Sequence, residues 1–184
     1  KSIESVGKPC PGVEIAIFDE NFKKCGEGEI GEICVKSPLT SPGYLNSTEK
    51  TALSFQYGFF RTGDLGFLDK ENFLYLRGRK ADLIISGGLN IFPQDIEEAI
   101  ATYPAALEVE VVGQPDVYLG EVAVAVIATE SPANEIEPKI RKLLRSKLAS
   151  YQQPTRYIFL DRLPYQANGK RDKVAIKRLV LSEN

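Results

Sequence analysis

The sequence predicts an α+β fold in two parts, a small β-barrel-like subdomain followed by a compact α+β domain. Three observations carry this expectation. Up to about Leu76, short apolar and aromatic runs are broken by Gly-, Asn- and Asp-rich turns, the signature of short strands. After Arg79 the apolar period lengthens to that of helices. Between these regions the stretch RGRKADLIISGG crowds three cations, an apolar triplet and a glycine pair into a junction.

In chain order, GVEIAIFD alternates weakly and runs into the turn-rich DENFKKCGEGEIGE. GEICVKS reads as a second strand and SPLTSPGYLNSTEK as a Ser/Pro/Gly/Asn loop. YGFFRTGDLGFLDKENFLYLRG gives aromatic strands punctuated by Gly-Asp and Asp-Lys-Glu-Asn turns. Beyond the junction, PQDIEEAIATY opens a helix on Pro93, with acids in its first turn and Ile96, Ala99, Ile100 and Tyr103 on one face. LEVEVVG and EVAVAVIATE read as strands joined by the turn QPDVYLG. NEIEPKIRKLLRSKLASY sets Ile136, Ile140, Leu143, Leu144 and Leu148 at helical spacing, with cations opposite. A strand, RYIFL, and a last helix near RDKVAIKRLVL complete the order helix–strand–strand–helix–strand–helix. The expected division is 1–78 for the β-rich part, 79–82 for a hinge and 83–184 for the second domain.

Composition narrows the chemistry. The 184 residues contain no histidine, which excludes Ser-His and Cys-His catalysis and His-based metal sites. Cys10, Cys25 and Cys34 form no CxxC pair and are odd in number, so free thiols in a reducing cytoplasm are expected, with neither zinc nor a disulfide framework. No apolar run is long enough for a membrane span. There is no methionine, even at position 1, and Lys1 is expected to be an interior residue of a longer protein. Residues 1–133 hold 11 basic against 20 acidic residues, a net of −9, whereas 134–184 hold 12 against 5, a net of +7. The basic segment could meet an anionic ligand or face the acidic part. Its cations lack interleaved stacking aromatics, which argues against nucleic acid.

Five segments, SVGKPCPGVEIAIFD, GEIGEICVKSP with GYLN, FFRTGDLGFLD, LRGRKADLIISGGLNIFPQDIEEAI and LPYQANGKRDKVAIKRL, occur in this order. Together they resemble the C-terminal part of the adenylate-forming enzymes: acyl-CoA synthetases, peptide-synthetase adenylation domains and luciferases. The resemblance implies two steps. A carboxylic acid first attacks ATP to give an acyl-adenylate and pyrophosphate; a thiol, usually coenzyme A, then takes the acyl group. It also implies that 1–78 ends a large N-terminal domain of the same chain, that 83–184 is a mobile C-terminal domain, and that a phosphate-binding loop and the acyl pocket lie upstream. ATP, coenzyme A and Mg2+ are thus expected, the ion held mainly by the N-terminal part. The piece alone is expected to be inactive and the enzyme cytoplasmic.

Residue by residue, Asp64 in RTGDL offers a carboxylate that can accept two hydrogen bonds from a ribose diol, the role the family implies; by itself it would read as a turn former. Arg79 carries a permanently charged fork suited to phosphate or ribose oxygens and is implied to touch the nucleotide. The family usually has Asp or Lys two residues later, where this chain has Ala81, leaving Lys80 or Asp82 to supply polar contacts at the hinge. Gly87 and Gly88 form a loop implied to line the thiol channel, and by themselves would serve a hairpin turn. Lys170, after an Asn-Gly turn, is implied to drive adenylation by neutralising charge between carboxylate and α-phosphate. Lys139, Lys142, Arg145, Lys147 and Arg171 are candidates for coenzyme A phosphates, although a solvated helix face is the default. Gln152 stands where relatives often have Lys. Two alternatives stay open: an adenylation domain acylating a carrier protein, and a non-catalytic binding or regulatory module.

Overall fold

The computed structural model describes residues 5–182; Lys1, with the expectation attached to it, lies outside them. The chain folds as two units, residues 1–81 and 82–184.

The first unit is a five-stranded antiparallel sheet. It comprises β1 (Glu14–Phe18), β2 (Gly31–Lys36), a short helix α1 (Thr48–Ser54), β3 (Phe55–Gln56), β4 (Phe59–Leu68) and β5 (Leu74–Arg79). β1 pairs with β2 and β2 with β4, while β3 and β5 share the far edge of β4. Register slips between Glu32 and Cys34 and between Asp64 and Gly66 bend the sheet into a curled half-barrel, since a bulge adds one residue to one strand and increases its twist. Gly31 and Gly66 face each other across β2 and β4. A Cβ on Gly66 would lie 2.3 Å from the Tyr75 carbonyl oxygen, and one on Gly31 2.4 Å from that of Phe18, so the tight curl requires both glycines. The apolar core here is small, built on Ile17, Ile33 and Leu74, and Phe18, Phe22, Tyr57 and Phe59 form an aromatic group of their own.

One expectation for this unit fails. The loop read over SPLTSPGYLNSTEK gives way at its end to α1, which buries no residue. Thr51 organises that region instead. Its hydroxyl donates to the Ser47 carbonyl at 2.8 Å and accepts from the Tyr44 N–H at 2.9 Å. Such local side-chain bonds carry no hydrophobic period, so patterning missed the helix.

The second unit follows from a 3-10 turn, Lys80–Asp82, that spans the division. The hairpin β6 (Ile84–Ser86) and β7 (Leu89–Ile91) comes next, then α2 (Pro93–Ala101), β8 (Glu108–Asp116), β9 (Gly120–Ala128), α3 (Ala133–Lys147), a 3-10 turn at Ser150–Gln152, β10 (Arg156–Leu160) and α4 (Lys173–Ser182). β9 is the central strand, antiparallel to β8 on one edge and parallel to β10 on the other, where Ser86 also bridges to Gly120. Ala123, Ala125 and Ile127 face a core with Ile96, Ile100, Ile136, Ile140 and Leu144 of α2 and α3. Val124, Val126 and Ala128 face a second core with Leu163, Ile176 and Val180. A strand covered on both faces explains why EVAVAVIATE is almost continuously apolar instead of alternating. The turn read as QPDVYLG is shorter than expected. β8 runs on to Asp116, whose carboxylate accepts the N–H groups of Tyr118 and Leu119 and closes the loop.

Gly66→Ala should destabilise the first unit by about 3 kcal/mol in urea unfolding, because the obstacle is a backbone carbonyl that cannot rotate away. Glu32 offers a second test. It is buried, accepts from Arg61 and pairs with Lys80 at 3.4 Å. Burial raises its pKa, but the hydrogen bond from Arg61 and the charges of Arg61 and Lys80 outweigh this and hold it below its ordinary value of 4.5. Its contribution is therefore present above about pH 4.5 and disappears as pH falls through the lower folded value. Glu32→Gln should cost about 2 kcal/mol at pH 7, and its unfolding curve should converge with that of the wild type on acidification.

Candidate functional site

In the first unit the sequence TGD forms the bulge of β4. Gly63 takes φ +76°, a left-handed conformation that favours glycine. The Thr62 hydroxyl donates to the Ile33 carbonyl at 2.7 Å and accepts the Asp64 N–H at 3.0 Å. Asp64 thereby stands opposite Arg79 on β5, and the guanidinium Nε lies 2.9 Å from Oδ1. The two residues singled out for nucleotide contact are thus cross-strand neighbours. Their side chains are 36% and 67% exposed, so the pair adds little to stability and both groups remain open to a ligand. In the same unit, Glu32 gathers Arg61 and Lys80.

In the second unit Gly87 and Gly88 form the two-residue turn between β6 and β7, at φ +56° and +81°. Two successive positive φ values are what a tight hairpin of this hand requires. The Gly87 N–H donates to the Leu119 carbonyl at 2.8 Å, fastening the turn to the β8–β9 loop, and both glycines are exposed.

Lys170 lies on a separate loop between Tyr165 and Arg171, which bridge each other. Gly169 turns the chain at φ +79°, and Asn168 Oδ1 accepts the Lys170 N–H at 3.0 Å. Lys170 is exposed, and its ammonium forms no ion pair or side-chain hydrogen bond among the described residues. Its neighbours are tightly held. Tyr165 donates to Glu108, Arg171 donates to the Val109 carbonyl and lies 3.1 Å from Glu110 Oε2, and Lys173 lies 3.0 Å from Glu110 Oε1 and 2.8 Å from Asp82.

Of the cations offered for coenzyme A, Arg171 belongs to this internal cluster. Burial lowers its pKa but is overtaken by hydrogen bonds to Glu110 and Tyr165, so the side chain is committed to the fold. Lys147 donates to Thr102, and Gln152 accepts the Ala149 N–H. Sequence reasoning passed over Glu97, Glu108, Glu110 and Lys173. Patterning gave no signal, because LEVEV alternates and so reads Glu108 and Glu110 as the solvent face of a half-buried strand.

Around Ala81, Lys80 pairs with Glu32 in the first unit and Asp82 with Lys173 in the second. The two polar neighbours of the small residue are therefore anchored to different units.

Comparison with known proteins agrees with both units. Residues 95–170 match the family model of the AMP-binding enzyme C-terminal domain, and residues 1–45 match that of the AMP-binding enzymes. The medium/long-chain-fatty-acid–CoA ligase FadD8 of Mycobacterium tuberculosis is 38% identical, over 96% of this chain and 32% of its own length. A 2-succinylbenzoate–CoA ligase of Listeria monocytogenes is 42% identical, over 95% of this chain and 35% of its own. The solved structure of o-succinylbenzoate CoA synthetase from Bacillus subtilis, in complex with the acyl-adenylate intermediate OSB-AMP, superposes with a TM-score of 0.87 at 38% identity, over 96% of this chain and 36% of that one. The chain thus spans about a third of the length of these relatives. It belongs to the adenylate-forming, AMP-binding enzymes, and it carries their C-terminal domain.

Proposed function

We propose that this chain is the C-terminal portion of an acyl-CoA synthetase, which activates a carboxylic acid with ATP and passes the acyl group to coenzyme A. The observation that supports it most is Lys170: an ammonium without a partner among the described residues, presented on a braced Asn-Gly turn, in a chain whose relatives are acid–CoA ligases.

In the first step a carboxylate oxygen of the acid bonds to the α-phosphorus of ATP and the bond to pyrophosphate breaks. Negative charge gathers on the pentacovalent phosphorus as two anions meet. Lys170 is proposed to stand beside these oxygens and offset that charge without transferring a proton. Asp64 is proposed to accept the two ribose hydroxyls, and Arg79 to hold the nucleotide next to it. In the second step the thiol attacks the acyl carbonyl and AMP leaves, with the Gly87-Gly88 turn lining the thiol's path. The change of step is proposed to be a rotation about residues 79–82, where Ala81 absorbs the backbone change between two anchored neighbours. The phosphate loop, the acyl pocket and most of the Mg2+ coordination are assigned to the remainder of the enzyme. Among the described residues no group of three or more Cys, Asp or Glu could hold a metal ion.

ATP–pyrophosphate exchange by the complete enzyme over a panel of carboxylic acids tests the assignment. Lys170→Ala should lower exchange by about 100-fold or more while leaving the unfolding midpoint unchanged. Exchange equal to wild type would remove Lys170 from the mechanism. Asp64→Ala should raise the KM for ATP by roughly 10- to 100-fold, the value of hydrogen bonds to a charged acceptor, with a smaller effect on the KM for the acid.

A further inference from the structure

The loop that presents Lys170 is attached to a buried carboxylate about 60 residues earlier in the chain. Glu110 sits on β8, which among the described residues pairs only with β9 and leaves its other edge without a strand. An unpaired edge must have its N–H and C=O groups satisfied by other means. Two side chains do this here. Glu97 of α2 accepts the Val111 N–H at 2.8 Å, and Arg171 donates to the Val109 carbonyl. The same guanidinium nitrogen lies 3.1 Å from Glu110 Oε2. The residue directly after Lys170 is therefore pinned to the strand edge and to its buried acid.

The other oxygen of Glu110 is occupied differently. Oε1 is buried without an aligned hydrogen bond, and the Lys173 ammonium stands 3.0 Å away. Lys173 opens α4, where a cation opposes the helix dipole and would ordinarily be avoided. Its placement is accounted for by its partners, Glu110 and, at 2.8 Å, Asp82. Burial lowers the pKa of Lys173, but the hydrogen bond to Asp82 and the charges of Glu110 and Asp82 outweigh this and raise it. The Glu110 carboxylate, only 4% exposed, thus lies between Arg171 and Lys173, the residues at one and three positions beyond Lys170. Lys173 extends the link to Asp82, where the second unit begins.

We infer that Glu110 is a positioning residue for adenylation: through Arg171 and Lys173 it fixes the Lys170 loop to β8 and to Asp82, so that the ammonium moves as one body with the start of its unit. The inference rests on the proposed role of Lys170. Glu110 touches no reactant in this account and acts only by restricting where Lys170 can be. A loop allowed to wander would lower the turnover of the first half-reaction while leaving ATP affinity, which is assigned to Asp64 and Arg79, in place.

The test compares Glu110→Gln, Lys173→Met and Lys173→Arg with Lys170→Ala in the complete enzyme. Glu110→Gln and Lys173→Met should lower kcat for ATP–pyrophosphate exchange about tenfold or more with the KM for ATP unchanged, and Lys173→Arg should recover most of the loss seen in Lys173→Met. Amide hydrogen exchange supplies the structural readout. The N–H groups of Gln166, Gly169 and Asp172, bonded within the loop region to the carbonyls of Lys170, Gln166 and Pro164, should lose protection about tenfold or more, while β9 keeps its own. Unchanged loop protection, or equal loss throughout the unit, would overturn the inference, the latter by showing that Glu110 merely supports the fold. If Lys170→Ala retains exchange, the functional assignment itself fails. If only Lys170→Ala loses exchange, the assignment stands and the positioning role of Glu110 is refuted.

Discussion

The arrangement of the second unit depends on one buried charge. A carboxylate removed from water is costly unless it is paired and hydrogen-bonded, and Glu110 is buried on a strand between two apolar cores. Its partners must come from elsewhere in the chain. Arg171 and Lys173 supply them, and this demand fixes how the segment after β10 returns to β8. Nearby, Glu97 has its pKa raised by burial and by the like charge of Glu110, a cost offset in part by the Val111 N–H. The cluster gathers Glu97, Glu108, Glu110 and Asp82 around Arg171 and Lys173, an arrangement better suited to fixing one geometry than to adding stability.

In the first unit the dominant constraint is steric. Two facing glycines and two bulges let β2 and β4 curl far enough to bring Asp64 opposite Arg79. Elsewhere in the unit Glu32 binds Arg61 and Lys80, so the cationic knot of the junction is partly neutralised within its own unit. What remains toward solvent is Asp64, Arg79 and the start of the connection to the second unit. Both units therefore use a buried glutamate to organise cations, and both leave the group assigned to chemistry at the surface.

Much of this was legible in the residues. The order of helices and strands beyond residue 92, the apolar faces of α2 and α3, and the family itself were all readable, because apolar period, turn glycines and helix-start signals act over a few residues. The helix α1 was not, since it is held by Thr51 and buries nothing. Arg171 also looked like one more surface cation in a basic segment, and nothing near it in sequence says otherwise.

The sequence by itself determined which elements form, which faces they bury, and the motifs that place the chain among the adenylate-forming enzymes. Only the tertiary structure decided which charges meet: Asp64 with Arg79, Glu32 with Arg61 and Lys80, and Glu110 with Arg171 and Lys173. The reason is physical. Periodicity and turn chemistry are fixed by neighbours along the chain, whereas the partner of a buried charge is whichever opposite charge the completed packing brings within reach, here across 61 residues from Glu110 to Arg171.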